Sequence, residues 1–560
     1  MFFKKIKLIF FIILFYQTPL YSKSTSFNFE SRNLSKYFSG IVAFENKNNS
    51  KALEFFNSSK ILIEKHDPYL KKYVYSLILE NKVSQAINVI KRNKHKNNSK
   101  FFDAHLLLII DSLKKNNLDQ AFQHLLNAST FVQQDRLSQA ILENLKEFIF
   151  VFKENKIMKD KKNFGNLSII TETFQRCYLE DPKTDVYFSN LINNNESDYT
   201  RYTYFYLSYL VENKRLGDAK EIINNIDFIN TTLLLSQGKS WIESGNEKKL
   251  TKVFSCKNSN DIIGEFLFLI SNLYSSQDNF KKSNFYLNLS NFINPKFVFN
   301  LSLIVENHYL NLEYKKARKI LKNFKKEDSF YFWYRVKKEA QIISKQRNEK
   351  EALNYITAEF KKINQPNKKI LFDIANFYKN SKKYKNAISY YSEIINTLSD
   401  TSEVKSDLLY RRGGSYERLG SYNEADRDLL HALEINPDDA YILNYLAYSW
   451  LERDYKINDA IEMLETAYKF KNNDPYIIDS IGWAYYLISD YVKAEKFLKR
   501  AVELMPDDPI VNDHYGDILW KLNRKIQARY FWKNVLEMDD ADEEMLGKIH
   551  IKLVEGLKKS

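Results

Sequence analysis

Apolar residues recur at three- and four-residue steps from Ile478 through Ile481, Ala484, Tyr485 and Leu487. The rhythm breaks at Ser489-Asp490, restarts at Tyr491, and runs through Ala494, Phe497, Leu498 and Ala501 to Met505-Pro506. Each run is the apolar stripe of one amphipathic helix. The whole stretch, DPYIIDSIGWAYYLISDYVKAEKFLKRAVELMPDDP, opens and closes on Asp-Pro. That dipeptide is a helix start: the Asp side chain can accept from a free N–H of the first turn, and Pro is tolerated at the first helical position. The predicted unit is helix, short turn, helix. Neither stripe can be buried within one unit, so a neighbouring copy must cover it.

Small residues set how close the two helices come. Gly482 lies in the first and Ala494 in the second, with Tyr485 and Leu498 filling the space around them. Gly482, Tyr485, Ala494, Leu498, Ala501 and Pro506 together resemble the tetratricopeptide repeat (TPR) consensus, whose period is about 34 residues. Gly413, Tyr416, Gly420, Ala425, Leu429, Ala432 and Pro437 match the same frame upstream. A copy between them carries Ala447, Trp450, Ala460, Leu464 and Ala467, and a last one Gly516, Leu519, Ala528, Trp532 and Val535. The small position of the second helix forms a ladder: Ala528, Ala494, Ala460, Ala425, Ala387, Ala352, Ala317, Ser283, Leu250 and Ala219, then Ala121, Ala86 and Ala52. The resemblance implies an all-α fold, an α-solenoid superhelix of TPR pairs.

The expected segments are a signal peptide at 1–22, TPR-like repeats at 23–135, an irregular helical joint at 136–195, divergent repeats at 196–367, well-matched repeats at 368–540 and a capping helix at 541–560. The cap would bury Leu546, Ile549, Leu553 and Val554 on one face. Surface loops are expected at Lys159–Lys162 and Asn193–Asn195. With 13 Gly and 9 Pro in 560 residues, there is little turn chemistry for a β protein.

The leader begins MFFKKIKLIFFIILFYQTPLYSKS. Lys4, Lys5 and Lys7 precede an apolar run from Leu8 to Tyr16, with small residues Ser22 and Ser24 after it. Nine residues at about 1.5 Å each are too short for a hydrocarbon layer of about 30 Å, so this reads as a cleavable signal peptide rather than a span. The expected location is the periplasm, with peripheral contact to the outer or inner membrane left open. Cys177 and Cys256 are the two cysteines. They lie about two repeats apart, a distance over which solenoid neighbours seldom touch, so two buried free thiols are expected.

The net charge is +14. Residues 401–560 carry 22 Lys and Arg against 30 Asp and Glu, about −8, which leaves about +22 for the rest. The basic part favours an anionic membrane surface or envelope polymer, and an AT-rich coding bias toward Lys and Asn accounts for it as well. No nucleic-acid partner is expected for an exported chain.

No nucleophile elbow, phosphate loop or H-E-x-x-H pair is present, and no cofactor is expected. Gly413-Gly414 falls inside a first helix, where packing explains it. His514 beside Asp513 and Asp517 has metal-ligand chemistry, but one helical turn supplies few ligands. Asp438-Asp439 and Asp507-Asp508 sit at repeat junctions as helix caps.

In TPR arrays the first helices line a concave groove. The resemblance places Asp407, Tyr410 and Glu417 there, then Tyr441, Asn444, Tyr448 and Leu451. The next copy gives Tyr476, Asp479, Trp483 and Tyr486, and the last gives Ile510, Asp513, Asp517 and Trp520. Aromatic rings interleaved with carboxylates and amides suit an extended protein segment. The family's Lys and Asn clamp for acidic C-terminal tails is not matched. The stretches DSIGWAYY and VNDHYGDILWKLNRKIQARYFW resemble a group of proteobacterial envelope TPR proteins, some of them adaptors for a C-terminal-processing periplasmic protease. Those are lipoproteins, and no Cys near this leader would carry a lipid. A non-enzymatic envelope scaffold holding one or more envelope proteins is the expected function. The alternative is an enzyme whose catalytic unit lies in 136–195.

Overall fold

The computed structural model describes residues 31–557 apart from 96, 133–134, 194–199, 230, 327–328 and 539. The leader expected at 1–22 and most of the loop expected at 193–195 lie outside these residues. Every regular element among the described residues is helical, and the helices follow one another in pairs, as a solenoid requires. Asp439, Asp474 and Asp508 each accept from two backbone N–H groups of the following first turn, as the junction acids predicted.

The turn inside each pair repeats a backbone device. Asn81, Asn116, Asp278, Asp454, Ser489 and Asn523 all take a left-handed conformation just after a first helix. The next N–H then bonds a carbonyl five residues back, as Asp490 does to Tyr485 and Arg524 to Leu519. This closes the helix end and reverses the chain within three residues. The ladder of small residues lies at the resulting contact. All its members from Ala52 to Ala528 are buried.

The chain divides into two compact units. One runs to Ile226 and includes Thr231–Glu339; the other comprises Asp227–Asn230 and Ala340–Ser560. In the first unit, contacts are not confined to neighbouring repeats. The helix Phe280–Ile293 packs against Asp67–Leu79, and Asn288 donates from Nδ2 to the Ile78 carbonyl at 2.9 Å. Lys281 donates to the Phe44 carbonyl at 3.1 Å and Lys316 to that of Lys47 at 2.8 Å. Covered on more than one side, Phe280–Ile293 buries residues all round its circumference. That is why its sequence, FKKSNFYLNLSNFI, matches the repeat frame poorly.

The helices Arg136–Glu154, Asn166–Tyr178 and Thr184–Ile192 carry the chain through the segment where the ladder breaks, with a loop around Lys159–Lys162. Cys177, on the second of these, is disulfide-bonded to Cys256, with Cα atoms 5.6 Å apart. This corrects the expectation of two free thiols. Phe174, Phe205 and Phe254 form one ring cluster there, so the segment before Ser259 packs directly on Asn166–Tyr178 although it is distant in sequence. Nearby, Arg201 makes a two-pronged ion pair with the fully buried Glu265 and also bonds Asn300. The paired geometry and extra hydrogen bond offset the cost of burying that charge.

In the second unit, five pairs run from Lys368–Asn380 with Tyr384–Ile395 to Pro509–Lys521 with Lys525–Val535. Glycine permits the closest crossings. A Cβ on Gly482 would lie 2.7 Å from Leu498 Cγ and 3.0 Å from the Leu498 backbone N, and one on Gly413 would lie 2.9 Å from Leu429 Cγ. The last described helix, Glu543–Glu555, packs on Lys525–Val535 through Ile549, with Met545 and Leu553 partly buried. Val554 points to solvent, against expectation, because Lys552 and Leu553 take the inner side of that turn.

A candidate protein-binding groove

The first helices Ala440–Leu451, Pro475–Leu487 and Pro509–Lys521 touch one another in succession, so equivalent positions recur along one face. At the N-terminal turn of each, an apolar side chain stays exposed: Tyr441 at 50%, Tyr476 at 58% and Ile510 at 47%. One helical turn further on, Asn444 and Asp513 are half-buried while Asp479 is only 4% exposed. Tyr448 and Trp483 follow, both half-buried, then Tyr486 and Trp520. Leu451 is buried in the core, because its side chain packs inward with Ile478 and Ile481 in the same apolar cluster. In the preceding repeat Tyr410 packs edge-on against Tyr445 at 5.5 Å, and Glu417 accepts from the Tyr445 hydroxyl at 3.1 Å. Asp407 pairs with Arg411.

The last two repeats hold a connected cluster. The Trp483 ring stacks on His514 at 4.1 Å and on Tyr486 at 4.7 Å. His514 Nδ1 donates to Asp479 Oδ2 at 2.8 Å. Burial works against a charged imidazole, but Asp479, Asp513 and Asp517 outweigh it, and the His514 pKa is raised. Asp517, 4% exposed, accepts from Trp532 Nε1 at 3.0 Å and from Lys552 Nζ at 2.8 Å, and Asp513 accepts from Lys552 at 2.6 Å. Burial, reinforced by the Asp513 charge, raises the Asp517 pKa to about 6 against the pull of Lys552. Trp520 lies against Trp532 with the Arg529 guanidinium over its ring, and Gly556 is close enough that a Cβ there would collide with it.

The predicted strip thus separates into two kinds of residue. Tyr441, Tyr476, Tyr410, Trp483 and Tyr486 keep ring surface available, with Glu417 and Asp513 beside them. Asp479 and Asp517 are engaged inside the array. Lys552 and Tyr445 are constituents that the repeat frame does not identify. The signal for Lys552 was charge: a lysine on the last helix opposite two groove carboxylates. His514 turns toward Asp479, and among the described residues no group of three or more His, Cys, Asp and Glu is arranged to hold a metal.

In the 136–195 segment, Glu172 is bound by Lys161, Arg176 and Tyr187. Burial opposes its charge, but those hydrogen bonds prevail and hold its pKa down at about 2. Glu147 accepts from Gln175 at 3.0 Å, and burial raises its pKa. Glu147 thus ties Arg136–Glu154 to Asn166–Tyr178, while Glu172 ties Asn166–Tyr178 to the Lys161 loop and to Tyr187 of Thr184–Ile192. No helix among the described residues is long and apolar enough to cross a membrane.

The tetratricopeptide repeat family profile matches residues 369–396 and 406–439. A TPR repeat-containing protein of Pseudomonas aeruginosa, PA4667, is 32% identical over 111 residues, covering 20% of this chain and 19% of that protein. A lipoprotein NlpI homologue of Haemophilus influenzae is 28% identical over 110 residues, 20% of this chain and 34% of that protein. The chain therefore spans about a fifth to a third of the length of these two relatives. A solved tetratricopeptide repeat protein from Parabacteroides merdae is similar at 16% identity and a TM-score of 0.35, over 52% of this chain and 98% of that one. With the glycine-permitted helix crossings, the buried small-residue ladder and the recurrent reversing turn, the profile match places tetratricopeptide repeats at 369–396 and 406–439, in an all-helical chain that resembles proteobacterial tetratricopeptide repeat proteins.

Proposed function

We propose that the chain is a non-enzymatic protein-binding scaffold of the bacterial cell envelope, holding an extended segment of a partner in the groove of residues 403–521. The observation that carries this reading is the pair Tyr441 and Tyr476. Each is a large ring left half-exposed at the same position of successive first helices. Aromatic residues offer contact area at low entropy cost, and Glu417 and Asp513 supply polar contacts for a peptide backbone or Lys and Arg side chains. The leader at 1–22 supports export to the periplasm, and the likeness to a lipoprotein homologue supports an envelope setting. The resemblance of DSIGWAYY and VNDHYGDILWKLNRKIQARYFW to envelope TPR adaptors extends the reading to an adaptor for a periplasmic protease or an envelope assembly machine. The basic residues before 401 would aid peripheral contact with an anionic membrane.

The test is affinity capture from envelope extract with the full chain and with the Tyr441→Ala/Tyr476→Ala double variant. The expected result is one stable protein partner whose affinity falls by about 2 kcal/mol or more in the variant, the usual hot-spot threshold. Turnover by the purified chain alone, lost on substitution within 136–195, would contradict the scaffold reading.

A further inference from the structure

The first unit holds a half-open cavity of about 830 Å³. One wall is the turn between Ser31–Glu45 and Asn49–Asn57 with the end of Asp67–Leu79. The other is Phe280–Ile293 with the pair Leu301–Leu310 and Tyr314–Leu321. The volume lies within the range of small-molecule sites, roughly 300–1,000 Å³, but such sites are mostly apolar. Here Phe44, Leu79, Phe280, Ile304 and Ile320 are the apolar members, and lysines and side-chain amides make up most of the rest.

The acids of the cavity are largely consumed. Glu80 accepts from Asn49 at 3.1 Å. Glu313 is held by His308 and Lys316, both at 2.7 Å, which overcome its burial and bring its pKa to about 2. Asp278 is exposed at the rim. Three lysines are also occupied: Lys316 by Glu313 and the Lys47 carbonyl, Lys47 by Asn311, and Lys281 by the Phe44 carbonyl. Lys315 and Lys319 are different. They line the cavity one turn apart on Tyr314–Leu321, and neither has a protein partner among the described residues. Like charges at that spacing destabilise a helix, so the unit keeps two uncompensated ammonium groups at a cost. Two amides face the same space. Among the described residues, Asn288, 5% exposed, uses Nδ2 on the Ile78 carbonyl and leaves Oδ1 without a protein partner, and the Asn81 side chain has none.

Two free ammoniums, an unpaired amide acceptor and a second free amide in one concavity are complementary to an anion that also carries hydroxyl groups. A bilayer is too flat to enter such a space. We propose that this cavity binds a small acidic carbohydrate, its carboxylate or phosphate on Lys315 and Lys319 and its hydroxyls on Asn81 and Asn288.

The test is calorimetric titration of the full chain with tetragalacturonate and with glucose 6-phosphate, beside the neutral sugars maltotetraose and glucose. Saturable binding of at least one acidic sugar is expected, with the neutral counterpart at least about tenfold weaker, as loss of a close ion pair would give. Lys315→Glu/Lys319→Glu should weaken binding by at least about tenfold on the same basis. Both side chains are exposed, so melting should be unchanged. The exposed Lys499→Glu, in the second unit, should leave affinity unaltered. Tetragalacturonate alone, or glucose 6-phosphate alone, would assign the anionic group as carboxylate or phosphate. No saturable binding of either acidic sugar would overturn the proposal. So would equal weakening by Lys499→Glu, which would show diffuse charge attraction. Binding confined to phosphatidylglycerol vesicles, and lost in the Lys315/Lys319 variant, would also overturn it by making the patch a membrane surface.

Discussion

His514 Nδ1 lies 2.8 Å from Asp479 Oδ2, so one charge-assisted contact joins the last two repeats across 35 residues of sequence. The imidazole is buried and sandwiched beside Trp483, yet its pKa is raised. The folded state therefore holds this proton more tightly than the unfolded chain, where histidine titrates near about 6.5. Its contribution is full below that value and is lost as pH rises through the higher folded value. Asp517 acts with the same sign at lower pH. With a folded pKa of about 6 it holds its proton where the unfolded carboxyl has released it, so its contribution fades between about 4 and 6. Thermal melts across pH 5 to about 9 should show the second unit losing stability above about 6.5, with a shallower loss in His514→Gln. Identical pH profiles for the two proteins would show that the pair does not carry this proton linkage.

Gly482→Leu should destabilise its own repeat and both neighbours. A Cβ at that position already meets Leu498 at 2.7 Å, and overpacking typically costs about 1–3 kcal/mol. Ala494→Leu, on the facing helix and fully buried, should do the same. Hydrogen exchange should localise the loss to 440–535 and spare helices of the first unit, since coupling in a repeat array runs mainly through neighbours. Loss spread evenly over the chain would contradict this.

Reduction of the Cys177–Cys256 bond should lower the stability of the first unit by about 2–4 kcal/mol, the usual effect of releasing a long loop. The bridge closes a separation of 79 residues. Cys177→Ser/Cys256→Ser should melt early without reductant and become insensitive to it, while the wild-type chain shifts only when reductant is added. Free thiols in the unreduced protein, titrated after denaturation, would show that the bond does not form.

Lys552→Met should leave Asp513 and Asp517 facing each other without their shared cation. Removing one partner of a buried ion pair typically costs about 3–5 kcal/mol, and Asp517 should respond by taking up a proton. Fraying of Glu543–Glu555 in hydrogen exchange, greater at pH 8 than at pH 5, is the expected result. Unchanged protection at both pH values would mean the lysine is dispensable.

These examples also separate what was legible in the sequence from what was not. The small-residue ladder and the Asp caps depend on spacing within one repeat, and Gly482, Ala494 and Asp474 could be placed from pattern alone. Tyr485 was likewise readable as core: it is buried, and its hydroxyl donates to Glu465 at 2.6 Å. The stacking of Trp483 on His514 depends on the offset between repeats, which a one-repeat frame does not contain. The left-handed turn recurs through Asn, Asp, Ser and Lys as well as Gly, so no single residue type announces it. The disulfide and the contact of Phe280–Ile293 with Asp67–Leu79 depend on how the first unit folds back, and a period of 34 residues cannot encode that.

Stacking changes which variants report on binding. Trp483→Ala removes ring contacts with both His514 and Tyr486, so it should lower stability as well as partner affinity. Tyr476→Ala, with the ring mostly in solvent, should lower affinity with little change in melting. Tyr485→Ala should lower stability first. If Tyr476→Ala and Tyr485→Ala shift melting equally, the exposed strip has been misplaced.

The most direct measurement is site-specific photo-crosslinking in the producing cell, with a photoreactive aromatic residue at Tyr441 or Tyr476 and, as controls, at Val492 or Ile526. The controls are apolar and more exposed, at 81% and 87%, but lie on second helices away from the groove. A binding groove predicts one discrete protein adduct from Tyr441 and Tyr476 and none from Val492 and Ile526. Adducts from the second-helix positions alone, or equally from all four, would contradict it.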